Sequence, residues 1–149
     1  MELMTHRAAG WKIRLRMSSD NQGIEALFDD CLQDFPWRSS GSEETIRMRK
    51  ALASSDCLIA HEAKAGVVGF LILERPKAYV SHLFVHRNWR FCGVGAGLLD
   101  VARDMARSPL QLDVDIQNEP AMRAYKAMGW IEKVGAVTPR GGQRRLAGP

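Results

Sequence analysis

Residues 83–99 read Leu83-Phe84-Val85-His86-Arg87-Asn88-Trp89-Arg90-Phe91-Cys92-Gly93-Val94-Gly95-Ala96-Gly97-Leu98-Leu99: an apolar strand end, a glycine-bearing turn and the start of a helix. Gly93 and Gly95 let a ligand approach the backbone with no Cβ in the way. The first N–H groups of the following helix have no partner inside it and point to the same place. That combination suits an anion, and a pyrophosphate fits it. Arg90, just upstream, adds a charge-assisted partner. A dinucleotide fingerprint would need glycine where the chain has Leu98, and would open the chain instead of following several strands. A Walker loop needs Gly-Lys-Ser or Gly-Lys-Thr, and neither occurs. Taken alone, the loop is equally compatible with a tight turn whose glycines serve packing only.

Upstream, Trp11, Ile13, Leu15 and Met17 alternate with polar residues and predict a strand. Ile24, Leu27, Phe28, Cys31 and Leu32 repeat at helical spacing after Ser18-Ser19-Asp20-Asn21, and Pro36 stops that helix. A second, more polar helix is expected over residues 43–54, behind the cap-like Ser40-Gly41-Ser42. The apolar runs 57–61 and 67–73 flank Lys64-Ala65-Gly66 and predict an antiparallel hairpin, and a further strand, 78–85, follows Pro76. Downstream, Val94, Leu98, Val101, Ala102 and Met105 share a helical face that ends before Pro109. Residues 110–116 alternate as a strand. Ala121, Ala124, Tyr125 and Met128 then make a short helix closed by Gly129, with short strands expected to finish the chain. The order β-α-α-β-β-β-α-β-α-β predicts a mixed α/β or α+β fold, with residues 1–149 forming a single domain.

With 46% hydrophobic and 26% charged residues the composition is that of a globular protein, and no run is long enough to cross a bilayer. The first ten residues lack the apolar core and cleavage site of a secretory signal, so a cytoplasmic location is expected. Cys31, Cys57 and Cys92 show no C-x-x-C spacing and are read as free thiols, and no metal is expected. The net charge of +4 favours an anionic ligand. Arg140, Arg144 and Arg145 form a basic end that is read as solvated in preference to a binding patch. Without interleaved aromatics, nucleic-acid binding is the weakest of the function classes.

A second segment couples a strand to a short helix: Leu112-Asp113-Val114-Asp115-Ile116-Gln117-Asn118-Glu119-Pro120-Ala121-Met122-Arg123-Ala124-Tyr125-Lys126-Ala127-Met128-Gly129-Trp130. The spacing of Asn118, Ala121, Tyr125, Gly129 and Trp130 resembles the Asn-x-x-Ala-x-x-x-Tyr-x-x-x-Gly-aromatic segment of the GNAT family of N-acetyltransferases. Arg90 to Gly95 resembles that family's acyl-CoA loop, Gln/Arg-x-x-Gly-x-Gly/Ala. Together they cover roughly residues 67–131, with Arg87 standing where the family often has proline. The resemblance implies a GNAT-like acyl-CoA N-acyltransferase fold, α/β in class. Its central mixed sheet, mostly antiparallel, would have about six or seven strands flanked by about four helices. The fourth and fifth strands counted from Trp11 would be splayed.

The resemblance further implies acetyl-CoA, or another acyl-CoA, as co-substrate, with its pantetheine arm pairing with the backbone of Leu83, Phe84 and Val85. Backbone N–H groups of Phe91, Cys92, Gly93, Val94, Gly95 and Ala96, with Arg90, would hold the pyrophosphate; Asn118, Ala121 and Tyr125 would line the arm. The acetyl group would pass to a primary amine of a small molecule or protein by direct attack. That requires a neutral amine, an oxyanion donor and a proton for the thiolate. Val85 N–H is the expected oxyanion donor, and Tyr125 the expected acid unless it serves only as a packed aromatic beside Ala121 and Met128. For the base, Asp113, His82 and a water-mediated route stay open. The competing function is an inactive acyl-CoA-binding regulatory module. Expected partners are an acyl-CoA and an amine acceptor, with a second copy in a homodimer, and neither nucleic acid nor membrane.

Overall fold

The run from Val67 to Leu73 is apolar throughout and needs cover on both faces. A computed structural model describes residues 2–6, 10–38, 41–90 and 92–149, and shows how that cover is arranged. The elements are β1 (Glu2–His6), β2 (Trp11–Leu15), α1 (Asn21–Leu32), α2 (Gly41–Ser54), β3 (Asp56–Glu62), β4 (Gly66–Glu74) and β5 (Tyr79–Val85), followed by α3 (Val94–Ala106), β6 (Gln111–Asp115), α4 (Glu119–Ala127), β7 (Ile131–Glu132) and β8 (Gln143–Ala147). The eight strands form one sheet in the order β1-β2-β3-β4-β5-β6-β8-β7. Every neighbouring pair is antiparallel except β5 and β6. The expected helices and strands are all present, and β1 adds an edge strand that the alternation at Trp11 did not announce.

Alternation along β4 feeds two cores. Leu71 and Leu73 join Trp11, Ile13, Leu98 and Ala102 beneath α3, while Phe70 and Ile72 join Ile24, Phe28 and Met48 beneath α1 and α2. Each such side chain contributes roughly 1.5–3 kcal/mol through burial. No helix among the described residues is long and apolar enough to cross a membrane.

The basic end is not a solvated tail. β8 inserts between β6 and β7, Arg145 pairs with Asp113 at 2.9 Å, Arg144 with Glu132 at 3.5 Å, and Arg140 with the buried Glu44. Residues that far apart in sequence find each other only once the sheet is built.

The feature that positions the site lies between β5 and β6. Ile72 pairs with His82 but Leu73 pairs with Val80, so Ser81 is an extra residue on β5, a bulge. The parallel ladder with β6 has only two pairs, Tyr79 with Gln111 and Val80 with Leu112. Beyond the bulge the strands part.

Candidate active site

Past Ser81 the backbone of β5 has one side on β4 and the other on the gap. His86 N–H donates to Val68 O at 2.8 Å, and the two-residue period then turns Phe84 toward β4 and the polar groups of Leu83 and Val85 toward the gap. Phe84 contributes its ring instead, packed against Phe28 at 5.1 Å and Phe35 at 6.0 Å. The carbonyl of Val85 accepts from Arg90 Nε at 3.1 Å, and Arg90 Nη2 reaches Asp34 at 3.0 Å. The structure therefore places Arg90 as a brace between β5 and the end of α1, with its charge matched by Asp34. Arg87, in the family's proline position, opens a short 3₁₀ turn and approaches Asp30 at 3.4 Å.

The glycine loop has the form expected from sequence. Gly93 sits at φ +83°, a region that costs other residues strain, and turns the chain into α3. The first helical bond runs from Gly97 N–H to Gly93 O at 2.9 Å. The N–H groups of Val94, Gly95 and Ala96 thus have no helical partner, and no side chain among the described residues caps them. A Cβ on Gly95 would meet only Val85 Cγ2, at 3.8 Å. Gly95 is not needed for packing, so the open space beside it suits a ligand. Val94 is buried beneath this turn and Cys92 is exposed, a free thiol. Phe91 lies outside the described residues.

Across the gap, Asn118 Oδ1 accepts from Ala121 N at 3.3 Å and caps α4. Tyr125, two turns on, packs its ring on Trp130 with centroids 5.3 Å apart. Its hydroxyl makes no hydrogen bond among the described residues, and burial holds the phenol above its ordinary pKa, so it stays protonated. Asn118, Ala121 and Tyr125 line a cleft of about 450 Å³ that passes through the gap to the opposite face of the sheet.

On that opposite face the cleft is polar. Leu112 and Val114 of β6 turn toward α3, so Asp113 and Asp115 turn toward α2. Asp113 is fully engaged: Arg145 Nε at 2.9 Å and Nη2 at 3.0 Å, and Tyr79 Oη at 2.7 Å. Asp115 accepts from Trp37 Nε1 at 2.9 Å, Arg38 Nε at 2.7 Å and Gln143 Nε2 at 2.8 Å. Burial would raise its carboxyl, but those donors outweigh it and hold the group below the usual carboxylate range. Asp115 thereby ties the segment after α1 to the sheet. Glu44, fully buried on α2, is paired with Arg140.

His82 lies among these groups, 9% exposed, with Phe28 at 5.8 Å. Its Nδ1 is 2.9 Å from Ser81 Oγ. In the tautomer whose Nδ1–H donates to that hydroxyl, Nε2 carries the free lone pair. Burial, with Arg38 and Arg140 adding to it against Glu44, pushes the ring down to about 4. The unfolded chain takes up a proton here below about pH 6.5, whereas the folded protein resists until about 4. Stability therefore falls with pH through that window. Between pH 7 and 5 this ring is expected to cost about 2 kcal/mol. His82→Gln should flatten the fall in unfolding free energy, read from urea titrations, by that amount; an unaltered slope would mean that the ring titrates normally.

Sequence reasoning did not single out Arg38, Glu44, Asp115 or Gln143, and treated Arg140 as solvated. Glu44 did leave a signal: with Met48 and Leu52 it forms the buried stripe of α2 at four-residue intervals, an acid in an apolar row.

The geometry has counterparts among known proteins. The chain is 29% identical over 123 residues to the peptidyl-lysine N-acetyltransferase YjaB of Escherichia coli, which covers 79% of this chain and 82% of the relative. The solution structure of apo-form YjaB superposes with a TM-score of 0.73 at 25% identity, covering 92% of this chain and 96% of that one. A structure of yncA from Salmonella typhimurium with its cofactor acetyl-CoA gives a TM-score of 0.64 at 18% identity, covering 93% of this chain and 91% of that one. At that identity it speaks for the fold. The sequence pattern of the acetyltransferase (GNAT) family matches residues 22–130, a span that holds both the glycine loop and the Asn118–Trp130 segment, and the chain belongs to that family.

Proposed function

We propose that the protein transfers an acetyl group from acetyl-CoA to a primary amine by direct attack. The observation that carries this is the cleft through the β5–β6 gap, lined by His82 and its polar neighbours, with the uncapped α3 N-terminus beside Val85 at the end of β5. Membership of the family supports the transfer chemistry. The YjaB relative is named for peptidyl-lysine, whose side chain ends in a primary amine.

The pyrophosphate is assigned to the N–H groups of Val94, Gly95 and Ala96, and the pantetheine arm to the gap-facing backbone of Leu83 and Val85. The amine nitrogen attacks the thioester carbonyl, whose oxygen becomes an oxyanion facing Val85 N–H. As the C–S bond breaks, Tyr125 gives its proton to the thiolate and recovers one from solvent. The proton shed by the amine goes to His82 Nε2, directly or through water. His82 is preferred to Asp113 because both oxygens of Asp113 are committed to Arg145 and Tyr79, whereas His82 is neutral at pH 7 with a lone pair to offer.

Acetyl-CoA at a hundred times its Kd should stabilise the fold by about 2.7 kcal/mol, a rise in Tm of about 5–11 °C for a chain of this size. No shift at saturation would count against cofactor binding. Stabilisation without thiol release across a broad panel of amines would identify the inactive acyl-CoA-binding module instead.

A further inference from the structure

Resting on the acetyl-transfer function above, we propose that the acceptor amine also bears a carboxylate, received on the α2 side of the cleft by Arg47, Lys50 and the free end of Arg38. Four cationic side chains line that side: Arg38, Arg47, Lys50 and Arg140. Two are anchored, Arg140 on Glu44 and Arg38 through Nε on Asp115. Arg38 engages Asp115 through one edge only, and its terminal nitrogens make no hydrogen bond among the described residues. That leaves a planar donor pair held in place, the arrangement a carboxylate accepts. Arg47 and Lys50, one turn apart on α2, make no ion pair among the described residues.

The charge balance sets the ligand class. Of the acids lining the cleft, Asp113 is matched by Arg145 and Asp115 by Arg38. Among the described residues Glu74 has only a 3.9 Å contact with the exposed Lys77. Setting Glu74 against one of the two unpaired cations leaves a single positive charge, which one carboxylate neutralises. A polyamine, or a lysine in a basic peptide, brings more positive charge to this wall and is disfavoured. The amine end of an amino-acid-sized molecule then faces His82 and the gap.

The test is thiol release from acetyl-CoA with matched acceptors, each an amino acid beside its decarboxylated amine: lysine with cadaverine, ornithine with putrescine, methionine with 3-(methylthio)propylamine. Phosphoethanolamine beside ethanolamine distinguishes a phosphate requirement. The carboxylated member of a pair should show a kcat/KM at least about tenfold higher. In the Arg47→Ala/Lys50→Ala double variant, whose exposed positions spare the fold, that ratio should fall about fivefold or more through KM, the scale expected of two exposed charge contacts. Equal or better turnover of the decarboxylated amines, an unchanged ratio in the variant, or preference for the phosphorylated amine overturns the proposal while leaving acetyl transfer standing. Should no amine turn over, thermal shifts of the CoA-saturated protein decide: stabilisation by lysine over cadaverine, lost in the variant, supports the carboxylate site, and equal shifts overturn it. The acetyl-transfer function alone would then have failed.

Discussion

Arg140→Ala is expected to lower stability by about 3–5 kcal/mol, because it removes the arginine that pairs with a fully buried carboxylate. In a chain of this size that corresponds to a fall in Tm of roughly 6–20 °C. Removing both charges should be milder, so Arg140→Ala combined with Glu44→Gln is expected to recover a large part of the loss. Arg144→Ala is the control: its bond to Glu132 is 3.5 Å long and its side chain is 49% exposed, so its removal should change stability by no more than about 0.5 kcal/mol. Equal losses from the two arginine substitutions would show that Glu44 reaches water.

Tyr125→Phe should reduce kcat about a hundredfold with little change in KM for acetyl-CoA, the scale of losing a positioned acid. The substitution deletes an oxygen that makes no hydrogen bond among the described residues, and the ring keeps its place on Trp130. Stability should therefore move by less than about 0.5 kcal/mol. Turnover unchanged across pH would reassign the thiolate's proton to water and leave Tyr125 a packing residue.

What was legible in the sequence was local. Gly93, Gly95 and the helix behind them declare a turn into an uncapped helix N-terminus within a few residues, and Asn118 declares the cap of α4 just as locally. The alternation of Trp11, Ile13 and Leu15 and the continuous run of β4 state how each strand is buried. Other features depend on contacts distant in the chain. Glu44 meets Arg140 across ninety-six positions and Trp37 meets Asp115 across seventy-eight. The bulge at Ser81, which parts β5 from β6, leaves no mark in composition or period. Its charge alone points Arg90 at the pyrophosphate, and its pairing with Asp34 at 3.0 Å is visible only once α1 lies beside β5.

The placement of β8 has a consequence for how the protein comes into being. β6 is held on one side by only two pairs with β5, and on the other by five with β8. While the chain is being synthesised, the hairpin strands and α3 can assemble as soon as they emerge. β6 has little to hold it until residues 143–147 follow. Asp113 and Asp115 are then two acids side by side with neither Arg145 nor Gln143 to receive them. The α2 side of the cleft, proposed above for the acceptor, is the last part of the molecule to take shape, and a nascent chain that stalls before β8 has the glycine loop without it.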